Sequence, residues 1–293
     1  MHLFNRRRFI GHAAAASALG LSGSSLLLGC AGKKTTAHIE EGMKLAKLDK
    51  ISVQLYTLRN EMQVSVPNVL ASLSEIGFDS VEFAGYFDNS PSAIRTMLDD
   101  NGLTAPSVHT PIEAMLESAE QQLEAASTIG HNYIIVPWLN DSFRNGIDGY
   151  KRVSEQLNQI GAKCAEEGIQ LAYHNHAFEF EELEGRIPYD VMLEECDADL
   201  VKMQLDLFWI TEAGKDPLAY FDRYPGRFDL CHVKDRMADG TMVSVGQGVI
   251  DFASIFDASA QAGLRHYVVE HDNPEDAMTS VRSSYDYLAA LEF

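Results

Sequence analysis

Leu205-Asp206-Leu207-Phe208-Trp209 and, one helical stretch later, Cys231-His232-Val233-Lys234-Asp235 decide how this chain is read. Each closes a short apolar run with an ionisable side chain. If the two runs are neighbouring strands of a parallel sheet, Asp206 and His232 emerge at the same edge. A carboxylate and an imidazole placed that way can share a metal ion.

Outward from this pair the pattern repeats. Short apolar runs rich in β-branched residues occur at Ile51–Tyr56, Ser80–Ala84, Ala105–His109, Tyr133–Pro137, Gln170–His174, Val201–Asp206, Asp229–Val233 and Tyr267–Glu270. Between them lie stretches with apolar residues at helical spacing, such as Val66–Ile76, Ile112–Ile129 and Tyr150–Glu167. Gly77, Gly102, Gly130, Gly168 and Gly263 each follow a helical run and precede a strand, where a helix-terminating glycine belongs. Eight strand–helix units in about 245 residues predict an α/β fold, a (β/α)8 TIM barrel. An open doubly wound sheet would carry a glycine-rich loop after its first strand. Here that loop is Thr57-Leu58-Arg59-Asn60-Glu61.

In such a barrel, chemistry gathers at the C-terminal strand ends. Glu82, His109, His174, His176, Asp206, His232, Lys234 and Glu270 all fall there. The chain has 10 histidines, and four of them sit at these ends. Period-two alternation puts His232 with Lys234, Asp206 with Gln204 and Phe208, Glu270 with Asp272, and His174 with His176 on common faces. If those faces point inward, the last four strands each offer a ligand: His174 or His176, then Asp206, His232 and Glu270. Two imidazoles and two carboxylates suit Mn²⁺, Zn²⁺, Fe²⁺ or Co²⁺ better than Ca²⁺. Tyr56, Trp138, Phe208 and Trp209 are placed to offer flat faces to a ligand, although aromatics at strand ends more often serve barrel packing. Cys231 alternates with His232 and is expected to point away from the site.

Composition narrows the partners. An apolar fraction of 46% is that of an ordinary globular core. A net charge of -20 argues against nucleic acid. Asn5-Arg6-Arg7-Arg8-Phe9-Ile10, an acid-free Ala/Leu/Ser run and Leu27-Leu28-Gly29-Cys30 read as a twin-arginine signal ending in a lipoprotein box. The expected layout is a signal peptide over residues 1–30, lipidation at Cys30, a polar tether over 31–48 and one barrel over 49–293. The protein is then exported, periplasmic and membrane-associated only through its lipid. A homo-oligomer is compatible with this layout. Cys164, Cys196 and Cys231 show no disulfide spacing.

Four segments carry a resemblance. Tyr173-His174-Asn175-His176-Ala177-Phe178-Glu179-Phe180, Leu205–Trp209, His232–Asp235 and Val245-Gly246-Gln247-Gly248-Val249-Ile250-Asp251-Phe252 resemble the sugar phosphate isomerase/epimerase group of xylose isomerase-like TIM barrels. The resemblance implies a divalent metal, most often Mn²⁺, held by Glu, Asp, His and Glu from strands five to eight. Asp206, His232 and Glu270 match the last three positions. The first glutamate is missing, and His174 stands in its place, with His176 as the other candidate. In the isomerases and epimerases of the group the two glutamates move a proton on opposite faces of an enediolate; here Glu270 alone keeps that role. Members resembling inosose dehydratase also carry a His-rich fifth strand.

The resemblance therefore implies a metal-dependent isomerase or epimerase acting on a ketose or keto-sugar, with Glu270 as base. A keto-sugar dehydratase or lyase is the alternative, and a non-catalytic carbohydrate-binding lipoprotein a further one. His109 or Lys234 would steady the enediolate oxygen or protonate a leaving group, unless Lys234 is spent on Asp235 or Glu270. Glu82 and His176 are candidates for sugar hydroxyls, and a purely structural carboxylate is an equal reading of Glu82.

Overall fold

The computed structural model describes residues 45–293. The expected signal, Cys30 and the tether up to residue 44 lie outside the described residues. Its last residues are already part of the barrel: the Ala46 amide donates to Phe293 O at 2.6 Å, and the Phe293 amide donates back to Ala46 O at 3.0 Å.

The strands are β1 (Ser52–Gln54), β2 (Ser80–Phe83), β3 (Thr104–His109), β4 (Tyr133–Val136), β5 (Gln170–His174), β6 (Val201–Asp206), β7 (Phe228–Val233), a two-stranded hairpin β8 (Asp235–Arg236) and β9 (Met242–Val243), and β10 (His266–Val269). All but the hairpin close into one parallel barrel in the order β1-β10-β7-β6-β5-β4-β3-β2. Asp206 pairs in register with His232, so the opening expectation about these two residues holds.

The helices form where apolar spacing and caps agree. Val66–Ile76 begins behind Ser65, whose hydroxyl accepts from the Asn68 amide, and turns its buried face (Val69, Leu70, Leu73, Ile76) to the sheet. It ends at Gly77, whose φ of 119° is cheap only for glycine. The first strand is shorter than its apolar run, because the Gln54 side chain accepts from the Tyr56 amide at 3.0 Å and opens a 3-10 turn over Leu55–Leu58.

Most buried apolar side chains lie between the strands and the surrounding helices. A separate cluster of Tyr133, Ile135, Ala172 and Leu230 packs together inside the barrel.

Candidate active site

Glu82, on β2, is fully buried and gathers side chains from four other strands. Gln54 Nε2 donates to it at 2.7 Å, Ser107 Oγ at 2.6 Å, Gln204 Nε2 at 2.7 Å and His232 Nε2 at 2.6 Å. His109 Nε2 lies 3.0 Å from Glu82 Oε1 and 2.9 Å from Gln204 Oε1. Burial pushes this carboxyl up, but the charges and hydrogen bonds of His109 and His232 win and hold it well below its usual range. Glu82 thus has no contact left for a sugar hydroxyl. It is a carboxylate that orients two histidines from beneath the pocket.

With Nε2 donated to Glu82, the other ring nitrogen of His232 faces the expected ligands. Nδ1 lies 2.8 Å from Glu270 Oε2 and 3.9 Å from Asp206 Oδ2. Ligand atoms of Asp206, His232 and Glu270 all fall within 4.8 Å of one another. Asp206 Oδ1 caps the helix Leu207–Glu212 by accepting from the Trp209 amide at 2.9 Å, while its buried Oδ2 has no hydrogen-bond partner. Burial raises this carboxyl to about 6.

His174 is the fifth-strand residue brought to this group, with Nε2 3.8 Å from Asp206 Oδ2. It also groups with His109 and His232, their ligand atoms all within 4.8 Å of one another. Its Nδ1 is buried without a partner, and burial holds the ring neutral, well below the usual histidine range. His176 lies beyond the end of β5, its ring 5.0 Å from that of His174, and belongs to neither cluster.

These donors fit a divalent cation. Asp206 Oδ2 is buried with no hydrogen-bond partner, and His174 Nε2 faces it at 3.8 Å. His232 is tied on its far nitrogen to a carboxylate, the arrangement that orients metal-bound histidines. In the protein alone, His232 must carry a proton on Nδ1 to face Glu270. Burial opposes that charge, but Glu270 and Glu82 hold its pKa up at about 10. A cation would take the place of that proton.

Lys234 completes the charge balance. Its ammonium lies 2.7 Å from Glu270 Oε2, 2.7 Å from Asp272 Oδ1 and 3.1 Å from Asp206 Oδ2. All three contacts are close ion pairs. Asp235 is not its partner: that buried carboxylate accepts from the Gly246 and Gly248 amides at 2.9 and 2.8 Å and shapes the loop after the hairpin.

Above these groups opens a cavity of about 650 Å³. Tyr56, Trp138, His109, His174, His176, Lys234, Glu270 and Asp272 are on its wall. A groove of similar size, about 680 Å³, lies between the hairpin and the last helix and takes Gln247 with it. It contains neither histidine–carboxylate cluster, so the barrel mouth is the site.

A family model described as the xylose isomerase-like TIM barrel matches residues 70–291. The chain belongs to this family. Within the xylose isomerase-like barrels, it is 24% identical to the inosose dehydratase of Geobacillus kaustophilus over 267 residues, or 76% of this chain and 86% of that protein. It is 27% identical to the inosose dehydratase of Lacticaseibacillus casei over 140 residues, and this match spans less than half of that relative's length, 46%. A solved sugar phosphate isomerase/epimerase of Parabacteroides distasonis is 28% identical, with a TM-score of 0.73 over 84% of this chain and 96% of its own.

As a xylose isomerase-like barrel, the chain departs from its sequence reading at two aromatics. Phe208 does not continue the inward face of β6. The strand stops at Asp206, the capped helix turns the chain, and Phe208 is buried away from the pocket. Trp209 stands behind the wall, its ring 5.4 Å from that of His176 and 5.7 Å from Lys234 Nζ. Tyr56 and Trp138 remain at the rim, 43% and 46% exposed, available to a ligand.

Gln54, Ser107 and Gln204 were not singled out from the sequence. Their signal was a polar residue in the middle of an otherwise apolar strand. Asn175 is a further case: its Oδ1 accepts from the Asp206 amide at 3.0 Å and ties the ends of β5 and β6 together.

Proposed function

We propose that the protein is a divalent-metal-dependent lyase. It removes the C–H proton beside the ketone of an unphosphorylated keto-sugar or keto-glycoside and expels the substituent on the next carbon. One observation carries this reading. Glu270 is the only carboxylate that both lines the pocket and belongs to the metal-binding triad, and on β5, where a two-base isomerase needs a second carboxylate, His174 stands instead. The inosose dehydratase relatives support it.

A cation held by Asp206, His232 and Glu270, with His174 in reach, would polarise the carbonyl and acidify the neighbouring C–H. Both contacts of Glu270 use Oε2, and Oε1 has no hydrogen-bond partner among the described residues. Oε1 is therefore the atom that takes the proton. Lys234 keeps its own proton, because Asp206, Glu270 and Asp272 overcome the burial that opposes its charge. It steadies the negative charge that develops on the substrate. The bond to the β-substituent breaks with its electron pair on the leaving oxygen. His109, reaching in from β3, delivers a proton there, leaving an α,β-unsaturated ketone. Return of the Glu270 proton to water and reprotonation of His109 reset the site.

The substrate carries no phosphate in this reading. Among the described residues Lys234 is the only lysine or arginine on the pocket wall, and its single charge is shared among three carboxylates, too little to hold a phosphate dianion as well. Arg59, at the rim, donates to Tyr56 O, Asp272 O and Asn273 Oδ1. Tyr56 and Trp138 offer apolar faces that suit a sugar ring or its substituent.

The test is the Mn²⁺-loaded protein with a p-nitrophenyl 3-keto-glucoside. Release of p-nitrophenol with a new enone absorbance is expected from wild type and not from Glu270→Gln. C–H exchange with D₂O but no release would favour the isomerase or epimerase reading, which the 28% identical relative supports. Binding without exchange would leave a carbohydrate-binding protein.

A further inference from the structure

The far end of the barrel has the opposite electrostatic character. There the first residues of several strands, among them Ser80 of β2, Thr104 of β3 and His266 of β10, surround a recess of about 260 Å³. Lys50, Arg95 and Arg265 also line it, and no aspartate or glutamate does. In a chain of net charge -20, three permanent cations around one small recess form a local reversal of sign.

The three cations differ in what they already hold. Arg95 is anchored: NH1 donates to Ile129 O at 2.8 Å and NH2 to Asp99 Oδ1 at 2.6 Å, while its buried Nε has no partner. Lys50 and Arg265 are exposed, and neither forms an ion pair among the described residues. The acids that bear on His266 from within the barrel are Glu82 and Asp229; Asp229 is buried and accepts from the Tyr133 hydroxyl at 2.9 Å. Arg95 already has Asp99 as a counterion, while Lys50 and Arg265 have none among the described residues; like charges brought together repel one another, and a bound anion relieves that cost. The strand-start hydroxyls of Ser80 and Thr104 add neutral hydrogen-bonding groups to the wall.

We propose that this recess is a binding site for a phosphate-type oxyanion, a phosphate mono- or diester, at the opposite mouth of the barrel from the reacting pocket. A tetrahedral oxyanion presents acceptor oxygens in several directions, which match Arg95 on its helix and Lys50 and Arg265 just ahead of their strands better than a planar carboxylate does. The same chemistry is found in a free small phosphate ester and in the headgroup of an anionic lipid. Attraction of this kind weakens as salt rises.

The experiment titrates the full chain with inorganic phosphate by calorimetry at low ionic strength, beside a Lys50→Ala/Arg265→Ala double variant. Both side chains are exposed and neither forms an ion pair among the described residues, so the variant is expected to fold, which thermal unfolding beside wild type checks. Wild type is expected to bind one phosphate per chain, and the double variant to bind about tenfold more weakly or worse. The second arm floats both proteins with phosphatidylglycerol and with phosphatidylcholine vesicles. Retention on phosphatidylglycerol that the double variant loses assigns the headgroup as ligand; phosphate binding without such retention assigns a free ester. No phosphate binding by wild type, or equal binding by the variant, overturns the proposal. Neither substituted residue touches the catalytic pocket, so enone formation stays unchanged in the variant, and this inference can fail without the lyase reading failing with it.

Discussion

His232 Nε2 donates to Glu82 Oε1 at 2.6 Å, and this one bond decides which nitrogen His232 offers to Asp206 and Glu270. Because Glu82 also receives Gln54, Ser107 and Gln204, the orientation of a ligand is built into the closure of the barrel. Glu82→Gln removes the buried charge opposite two histidines. It should weaken Mn²⁺ binding by roughly 10–100-fold and destabilise the fold by about 3 kcal/mol or more. Calorimetric titration with Mn²⁺ and thermal unfolding check both; a full-affinity site in the variant would remove Glu82 from the account.

Asp206 has two jobs on two oxygens, and substitution can separate them. Asp206→Asn keeps an acceptor for the Trp209 amide but loses the ligand charge. Asp206→Ala loses both, with a further cost of about 1 kcal/mol for the missing cap. Elemental analysis should find little metal in either variant, while only the alanine variant unfolds earlier for want of its cap.

Lys234 and a divalent cation compete for the same carboxylate oxygens, Asp206 Oδ2 and Glu270 Oε2. Lys234→Met therefore strips the internal counter-charge from three carboxylates. The variant should be several kcal/mol less stable without metal, and Mn²⁺ should raise its melting temperature by more than it raises that of wild type. A smaller metal response in the variant would show that the ammonium assists binding rather than opposing it.

Glu179 tests the loop that carries His176. It accepts from Tyr173 OH at 2.6 Å and from the His176 amide at 2.8 Å, and burial pushes its pKa from 4.5 up to about 7. The folded protein then holds a proton that the unfolded chain has released. The associated stability is fully present below about pH 4.5 and is lost as pH rises towards 7. Glu179→Gln preserves the acceptor and removes the titration, so its melting temperature should vary less with pH across that window. Parallel profiles for wild type and variant would place the titration elsewhere.

Trp138 and Tyr56 stand at the rim, outside both groups of candidate metal ligands. Replacing either by alanine should raise KM several-fold, a loss of about 1 kcal/mol of stacking, and leave kcat nearly unchanged. A fall in kcat alone would mean that the ring positions the reacting carbon rather than binding the sugar.

The barrel could be read from the sequence because each unit announces itself locally. Val66–Ile76 and Ile112–Ile129 end where their apolar spacing ends. Asp206 and His232 come level because β6 and β7 are neighbours, which follows from strand order alone. Glu82 was harder. Its partners come from β1, β3, β6 and β7, and which inward side chains share a level depends on the register of the whole closed sheet. Alternation also fails where a strand stops: Phe208 was placed by extending β6 past a residue that in fact caps a helix. The hairpin of β8 and β9 has two residues per strand, too few to show a period. His174 illustrates a third limit. The sequence places it on the correct strand, but its grouping with His109 and His232 is set by distances that no pattern of residues encodes.

The paired amides and carbonyls of Ala46 and Phe293 make the barrel a ring whose two ends already touch. Such a chain tolerates having those ends joined by a short linker and new ones cut at an exposed turn such as Asp141. A permuted protein of that kind would keep both mouths of the barrel while placing its termini elsewhere, so that a fusion partner could be carried on a different side without touching a single residue of either recess.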